Sequence, residues 1–345
     1  MLSFNVESGY LEGLVRGYRA GLLTTADYSN LTQCDSLEDI KLHLSGTAYG
    51  DFLANDPPPL RTTTILDRSV ALLVRQIEHI HTQAVDPVHT FMDYVKREYQ
   101  IQNVILLITG TLHERSTEEL MSKCHPLGTF PAMAALTSAN SVADLYHLVL
   151  VDTPLAPYFQ NCLSEEDLSE MSIELIRNTL AKAYLEDFYA YCRSMGGTTW
   201  DVMKELLEFE ADRRAINITI NSFGTELTKD DRERLFPKLG VLYPEGHAKL
   251  ARAEDLDAVR IAVDPHFHYR RIFAQAQHDA DKTLEDAFFE REVALNKLAF
   301  DRQFGLGVFY AYLKLKEQEI RNVVWVAECV AQRQKHRANA VIPIF

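Results

Sequence analysis

Three stretches of this 345-residue chain resemble one another in the same order, and this self-similarity constrains the fold more than any other feature. The segment Arg97 to Thr111, REYQIQNVILLITGT, meets ADRRAINITINSFGT without a gap when moved 114 residues, 97 to 211. Glu98 then falls on Asp212, Asn103 on Asn217, Gly110 on Gly224 and Thr111 on Thr225. A partial third copy, KEQEIRNVVW, puts Glu317 and Asn322 in the same places. A second marker also recurs. Ser36-Leu37-Glu38-Asp39-Ile40 matches Ser141-Val142-Ala143-Asp144-Leu145, and Ala253-Glu254-Asp255-Leu256 is a weaker third copy. A third marker occurs twice, as Leu127-Gly128 before Phe130-Pro131 and as Leu239-Gly240 before Tyr243-Pro244. The constant order predicts one body of three related units near 1–115, 116–228 and 229–345.

Each unit reads as helical. Leu175, Ile176, Leu180, Ala183, Tyr184 and Phe188 recur at helical spacing, as do apolar residues over 284–300 and 309–330. Thr117-Glu118-Glu119 and Ser164-Glu165-Glu166-Asp167 have the hydroxyl and early acids of helix starts. Prolines at 57–59, 126, 131, 154 and 157 punctuate loops. Strand-like alternation is scarce, so the fold class expected is all-α. Three helical units can form an open solenoid or a closed pseudo-threefold body, and the repeat alone does not choose.

Chemistry is sparse. Gly305-Leu306-Gly307 has no third glycine and no preceding strand, so it is no phosphate loop. His79-Ile80-His81 and His266-Phe267-His268 would point their rings about 200° apart on a helix, which argues against a shared metal ion. Cys124-His125 is an isolated pair, and no serine has a nucleophile-elbow pattern. Glu118-Glu119 and Asp230-Asp231 read as solvated helix starts. No catalytic, cofactor-binding or metal residues are therefore expected. The repeated polar residues Asn103, Asn217, Asn322, Asp39, Asp144 and Asp255 are structural candidates. Each asparagine borders an apolar run, where fixing helix register or closing a loop carbonyl is its expected task.

The balance of 35 basic and 49 acidic residues gives a formal charge of -14, which disfavours nucleic acid and anionic lipid as partners. Arg333, Lys335, His336 and Arg337 form a local basic cluster, placed either to complement a helix end or to meet an acidic protein. Five scattered cysteines fit a reducing compartment. The opening residues have no signal-peptide core, and no apolar run approaches the roughly 20 residues of a spanning helix.

The segments GYLEGLVRGYRAGLLTTADYSNLTQCDSLEDIKLHL, VDTPLAPYF, FEADRRAINITINSFGTEL and KLKEQEIRNVVWVAECVAQRQ, with the final VIPIF, resemble the d-subunit family of vacuolar-type proton ATPases. More distantly the chain is similar to the archaeal and bacterial C subunits. The resemblance covers essentially the whole chain. It implies a closed, all-helical pseudo-threefold funnel with no active site of its own. It also implies a rotor adaptor coupling the central stalk, subunits D and F, to the proteolipid c-ring, with subunit a as a further partner. The implied place is the cytosolic face of vacuolar, lysosomal or other endomembranes. Closure would bring unit three back to unit one, and with it Cys34 towards Cys329. The competing expectation is a helical-repeat scaffold of another cytosolic complex.

Overall fold

A computed structural model describes residues 2–113, 115–139, 141–150, 153–163, 173–278 and 282–345. Every regular element among them is a helix, α or 3-10. The Ser164 helix start expected from sequence lies outside the described residues. Predicted helices over 174–193, 284–300 and 309–330 are observed as Ile173–Met195, Leu284–Ala299 and Gly307–Ala331.

Local sequence explains where many helices begin. Thr24 with Asp27, Ser36 with Asp39, and Thr283 with Asp286 each form a reciprocal box, in which hydroxyl and carboxylate satisfy each other's backbone N–H. Thr117–Lys123 starts at the predicted point, but its cap residue Ser116 makes no side-chain cap bond. Pro126 and Pro131 open 3-10 turns, and Pro157 sits in the first turn of Ala156–Cys162, where no N–H is needed.

The chain divides into two compact units. One comprises 1–89, 197–202 and 275–345, and the other 90–196 and 203–274. The first unit thus takes both the opening and the closing stretches of the chain. Its centre is the Gly307–Ala331 helix, of which 18 of 25 residues are buried. A helix covered on so many sides is a core element, not a half-exposed amphipathic one. It packs on Leu2–Ala20, Leu37–Leu44, Thr62–Gln83 and Leu284–Ala299. One continuous core joins Leu23, Tyr28, Leu31, Ile40, Leu53 and Ile65 from the start of the chain to Val323, Val326 and Val330.

The segment after this helix is held down as well. Arg333 takes a left-handed conformation and ends the helix, with Gln334 N–H reaching back to the Cys329 carbonyl at 2.7 Å. Lys335 of the basic cluster then binds the Gln33 carbonyl (3.1 Å) and the Asp35 carboxylate, and Arg337 lies over the Trp325 ring. Ile344 is fully buried, and the Phe345 ring lies 4.2 Å from the Arg19 guanidinium and 5.1 Å from the Lys297 ammonium. Ile344→Ala is expected to cost about 2–4 kcal/mol, read as a lower urea midpoint at unchanged slope. A loss below about 0.5 kcal/mol would mean the segment is merely laid on the surface.

In the second unit, Ile173–Met195 packs on Ala156–Cys162 and on Lys229–Leu235, and Glu245–Arg252 links the latter to Leu256–Val263. Aromatic stacking fixes its interior. The Tyr94 ring lies 5.2 Å from Phe188 and 4.6 Å from Tyr191, and Arg97 donates to the Tyr158 hydroxyl at 3.1 Å.

Candidate functional site

Three helices have the same length of 25 residues: Val88–Leu112, Gly197–Asn221 and Gly307–Ala331. Their starts, 88, 197 and 307, are 109 and 110 residues apart. The sixteenth residue of each is polar and buried: Asn103, Asp212 and Asn322. Each grips the backbone of a loop further along the chain. Asn103 accepts from His125 N–H (2.7 Å) and donates to the His125 carbonyl (2.9 Å). Asn322 does the same to Ile342, accepting at 3.1 Å and donating at 2.7 Å. A carboxamide, with one acceptor and one donor group, matches the N–H and the C=O of a single residue, and that pairing fixes which way each amide points. Asp212 has only acceptors, and its three partners are donors: Val241 N–H (3.0 Å), Leu242 N–H (3.2 Å) and the Tyr269 hydroxyl (2.8 Å).

The Leu-Gly marker now has a physical reason. Gly128 lies so close to the Asn103 amide and the Tyr99 carbonyl that a Cβ would collide with both. Gly240, at φ +107°, lies as close to the Asp212 carboxylate. In both cases glycine lets the gripped loop approach the helix.

Asn217, expected to share the role of Asn103 and Asn322, does not. It is exposed, and the residue in the equivalent place is Asp212. The identical letters lie five positions further along the helix, about 140° round its axis, so the side chain leaves on another face. Asp255 is likewise displaced. Asp39 and Asp144 are third residues of their helices, whose backbone N–H groups bond to Ser36 and Ser141. Asp255 is instead the cap itself, accepting from Ala258 N–H at 2.7 Å. With Ser36 and Asp255 paired as caps, first and third copies are in register: cap to clasp is 67 residues in each, 36 to 103 and 255 to 322. Cys34 and Cys329 are both buried free thiols; Cys34 shares its core with Ala327 and Val330. Asn103→Ala and Asn322→Ala are each expected to cost about 1–3 kcal/mol, because both strand a buried peptide group. Asn217→Ala should change stability by less than about 0.5 kcal/mol. Thermal melts of the three variants side by side check this, and equal losses would refute the reassigned register.

One turn before Asn322 lies a charged centre that the sequence reading missed. Glu319 is fully buried. It accepts from Leu23 N–H, from the Tyr49 hydroxyl at 2.7 Å, and from the Lys316 ammonium. Lys316 is 1% exposed, and its ammonium lies 4.1 Å from the centre of the Tyr49 ring. Burial pushes the Lys316 pKa down against the opposing pull of Glu319. Burial, helped by the same carboxylate, pushes the Tyr49 phenol well above its ordinary value. All the groups around Glu319 are donors, so the arrangement holds a carboxylate in place and leaves it no access to a substrate. The available signal was Lys316-x-x-Glu319 within an apolar stripe. It reads as a solvated face unless the helix is known to be buried on nearly all sides.

The second unit carries a cleft of about 580 Å³, lined by Asn178, Arg214, Asn217, Asn221, Ser222 and Thr225 among others. Its arginine is tied to Glu98 and Glu210, both at 2.7 Å, so the guanidinium is already neutralised. Besides these amides and hydroxyls the lining carries the carboxylates of Glu174, Glu226 and Asp231.

Long helices, three of which hold a loop by a buried polar side chain at the same position, define an all-helical class of protein. Comparison with known proteins makes this specific. Residues 11–341 match the model of the ATP synthase (C/AC39) subunit family. The V-type proton ATPase subunit d of Dictyostelium discoideum is 59% identical over 346 residues, covering 100% of this chain and 97% of that protein. The Saccharomyces cerevisiae protein of the same name is 44% identical, covering 99% of each. The A-type ATP synthase C subunit of Methanocaldococcus jannaschii is 21% identical over 91% of this chain and 80% of that protein. The chain belongs to the ATP synthase (C/AC39) subunit family, on the branch of the V-type proton ATPase d subunits.

Proposed function

We propose that this protein is a non-catalytic rotor adaptor of a vacuolar-type proton ATPase, coupling the central stalk, subunits D and F, to the proteolipid c-ring. The observation that carries this reading is end-to-end identity of 44–59% with proteins named V-type proton ATPase subunit d. In this role the protein hydrolyses nothing. It receives torque from the stalk and passes it to the ring, with subunit a as a neighbour and no nucleic acid bound.

The physics of the chain suits such a part. Torque transmission needs stiffness, and close-packed helices joined by buried clasps resist shear. Among the described residues no helix is long and apolar enough to cross a membrane, so attachment to a membrane-bound ring would run through protein contacts. Large apolar side chains exposed at Val241, Tyr243, Leu256, Ile261 and Phe267 suit a protein partner. The 109- and 110-residue steps of the long helices support three related lobes, near 1–115, 116–228 and 229–345; their closure into a pseudo-threefold funnel at the cytosolic face of an endomembrane is part of the same proposal and rests on the family resemblance alone.

The test is gentle detergent purification of the tagged protein from membranes, with mass spectrometry of every co-eluting chain. Co-elution of the proteolipid ring with stalk subunits D and F is expected. Recovery alone or with unrelated soluble proteins, while the intact pump is found elsewhere in the same preparation, would replace the adaptor by a helical scaffold of another complex.

A further inference from the structure

Only part of the basic cluster after the Gly307–Ala331 helix serves the protein's own fold. Lys335 is tied to Gln33 and Asp35. Arg333, His336 and Arg337 are exposed. The Arg337 side chain donates to the Gln334 amide oxygen at 3.2 Å and lies over Trp325. Arg333 and His336 make no side-chain hydrogen bond or ion pair among the described residues. The preceding acid, Glu328, accepts from the Gln332 amide at 3.2 Å. No Asp or Glu occurs from 329 to 345, in a chain whose formal charge is -14. Nor do these side chains cap the helix, because backbone N–H groups already hold its last carbonyls. Gln332 N–H bonds to Glu328 (2.9 Å), Arg333 N–H to Val330 (3.1 Å) and Gln334 N–H to Cys329 (2.7 Å). The last two bonds are those of a Schellman ending, whose left-handed residue is commonly glycine. Here it is Arg333, at φ 58°, where any side chain is strained. After the Gly197–Asn221 helix the left-handed residue is Gly224, at φ 73°. The chain thus carries an arginine where its own fold favours glycine, and gives that guanidinium no internal partner.

We propose that Arg333, His336 and Arg337 form a docking site for an acidic segment of a partner protein. The site rests on the pump reading above, which makes that partner another subunit of the same pump. A guanidinium presents a fork of N–H donors that matches a carboxylate. Four residues separate the two arginines, so their Cα atoms lie within ~14 Å, the reach of a few residues of an acidic peptide. His336, between them in sequence, adds a ring N–H. An anionic lipid surface would offer similar charge, but it repels a chain of -14 as a whole. A protein segment can bring its acid to this loop alone. Contacts of this exposed kind set register and the rate of encounter more than raw affinity.

The test is rebinding of the full chain to pump membranes stripped of this subunit, read as the amount that sediments with them against concentration. Wild type is expected to bind, and less tightly as salt is raised. Arg333→Ala/Arg337→Ala should weaken binding roughly tenfold and flatten its salt dependence. Arg333→Gly should weaken binding while raising the melting midpoint by about 1–2 °C, because glycine relieves the left-handed strain. A residue kept for the fold alone would not split the two readouts in this way. Arg333→Lys, which keeps the charge, should bind nearly as wild type does. Carbodiimide couples amines to carboxylates, so in that bound variant it should join position 333 to an Asp or Glu of another subunit, identified by mass spectrometry. Circular dichroism verifies folding, and glutamine replaces alanine in any variant that fails it. A double variant that rebinds like wild type, or no cross-link from position 333, would overturn the site and leave the pump reading standing. A cross-link to a lipid headgroup would overturn it in favour of the membrane. Failure of the wild type itself to rebind would remove the pump reading and this site with it.

Discussion

Glu319→Ala is expected to be among the most damaging single substitutions in the chain, costing about 3–5 kcal/mol. It would strand the Lys316 ammonium, 1% exposed, without a counter-charge, and would remove the acceptor of the Leu23 N–H and the Tyr49 hydroxyl. Since whole domains are stable by only about 5–15 kcal/mol, such a loss leaves the first unit close to unfolding at 37 °C. Buried ion pairs are damaging to break but not necessarily favourable to keep, so the Lys316→Met/Glu319→Leu double variant should recover a large part of the loss. Urea unfolding of wild type, single and double variants, followed by circular dichroism, gives the three numbers needed. A single variant within about 1 kcal/mol of wild type would mean that water reaches this centre. A double variant no better than the single would mean that the hydrogen bonds to Leu23 and Tyr49, not the charge, dominate.

The second large effect concerns the clasps, where near-isosteric exchange is predicted to fail in both directions. Asp212 faces three donors, so Asp212→Asn must turn an NH2 group towards one of them, and about 2–4 kcal/mol should be lost. Asn322 accepts from the Ile342 N–H and the Gln318 amide and donates to the Ile342 carbonyl, so Asn322→Asp sets a carboxylate against that carbonyl and should lose a similar amount. Thermal melts check the magnitude. Hydrogen exchange at Val241 and Leu242 in Asp212→Asn, and at Ile342 in Asn322→Asp, checks the place, because protection should fall at the released loop before it falls elsewhere. Tolerance of either exchange without loss would show that the loops are held by packing and that the polar clasps are incidental.

The helical class and the helices over 174–193, 284–300 and 309–330 were legible because they depend on periodicity, which is local. Helix Ile173–Met195 follows from its apolar spacing, whereas Ser36 and Asp39 stood out only as a repeat marker and are a capping pair in the structure. The clasps were only half legible. Asn103 and Asn322 are marked by their own identity. The middle clasp is an aspartate, and matching letters selected Asn217 instead. Only the partners separate the two: a position facing three donors requires a carboxylate, and the two backbone donors come from a loop about 30 residues away. The same holds for Glu319, whose donors Leu23 and Tyr49 stand 296 and 270 positions earlier in the chain. The stacked rings of His81 and His89, 4.5 Å apart between centres, were missed for a simpler reason. Neighbours were sought along one helix, whereas His81 and His89 meet across a turn.

The core that joins residues 23–72 to residues 323–330 has a consequence for synthesis. A ribosome makes the chain in one direction at roughly 5–20 residues per second, so some 250 residues and about 10–50 s separate the two halves of that core. During this interval Leu23, Tyr28, Ile40 and Ile65 have no completed surface to pack against. The Leu23 amide and the Tyr49 hydroxyl also wait for Glu319. Residues 90–274 contain the whole of the second unit on either side of its 197–202 interruption, and they leave the ribosome complete before the first unit can close. The nascent protein thus carries an apolar N-terminal stretch that must be shielded, by chaperones or by its own transient collapse, until the last long helix arrives.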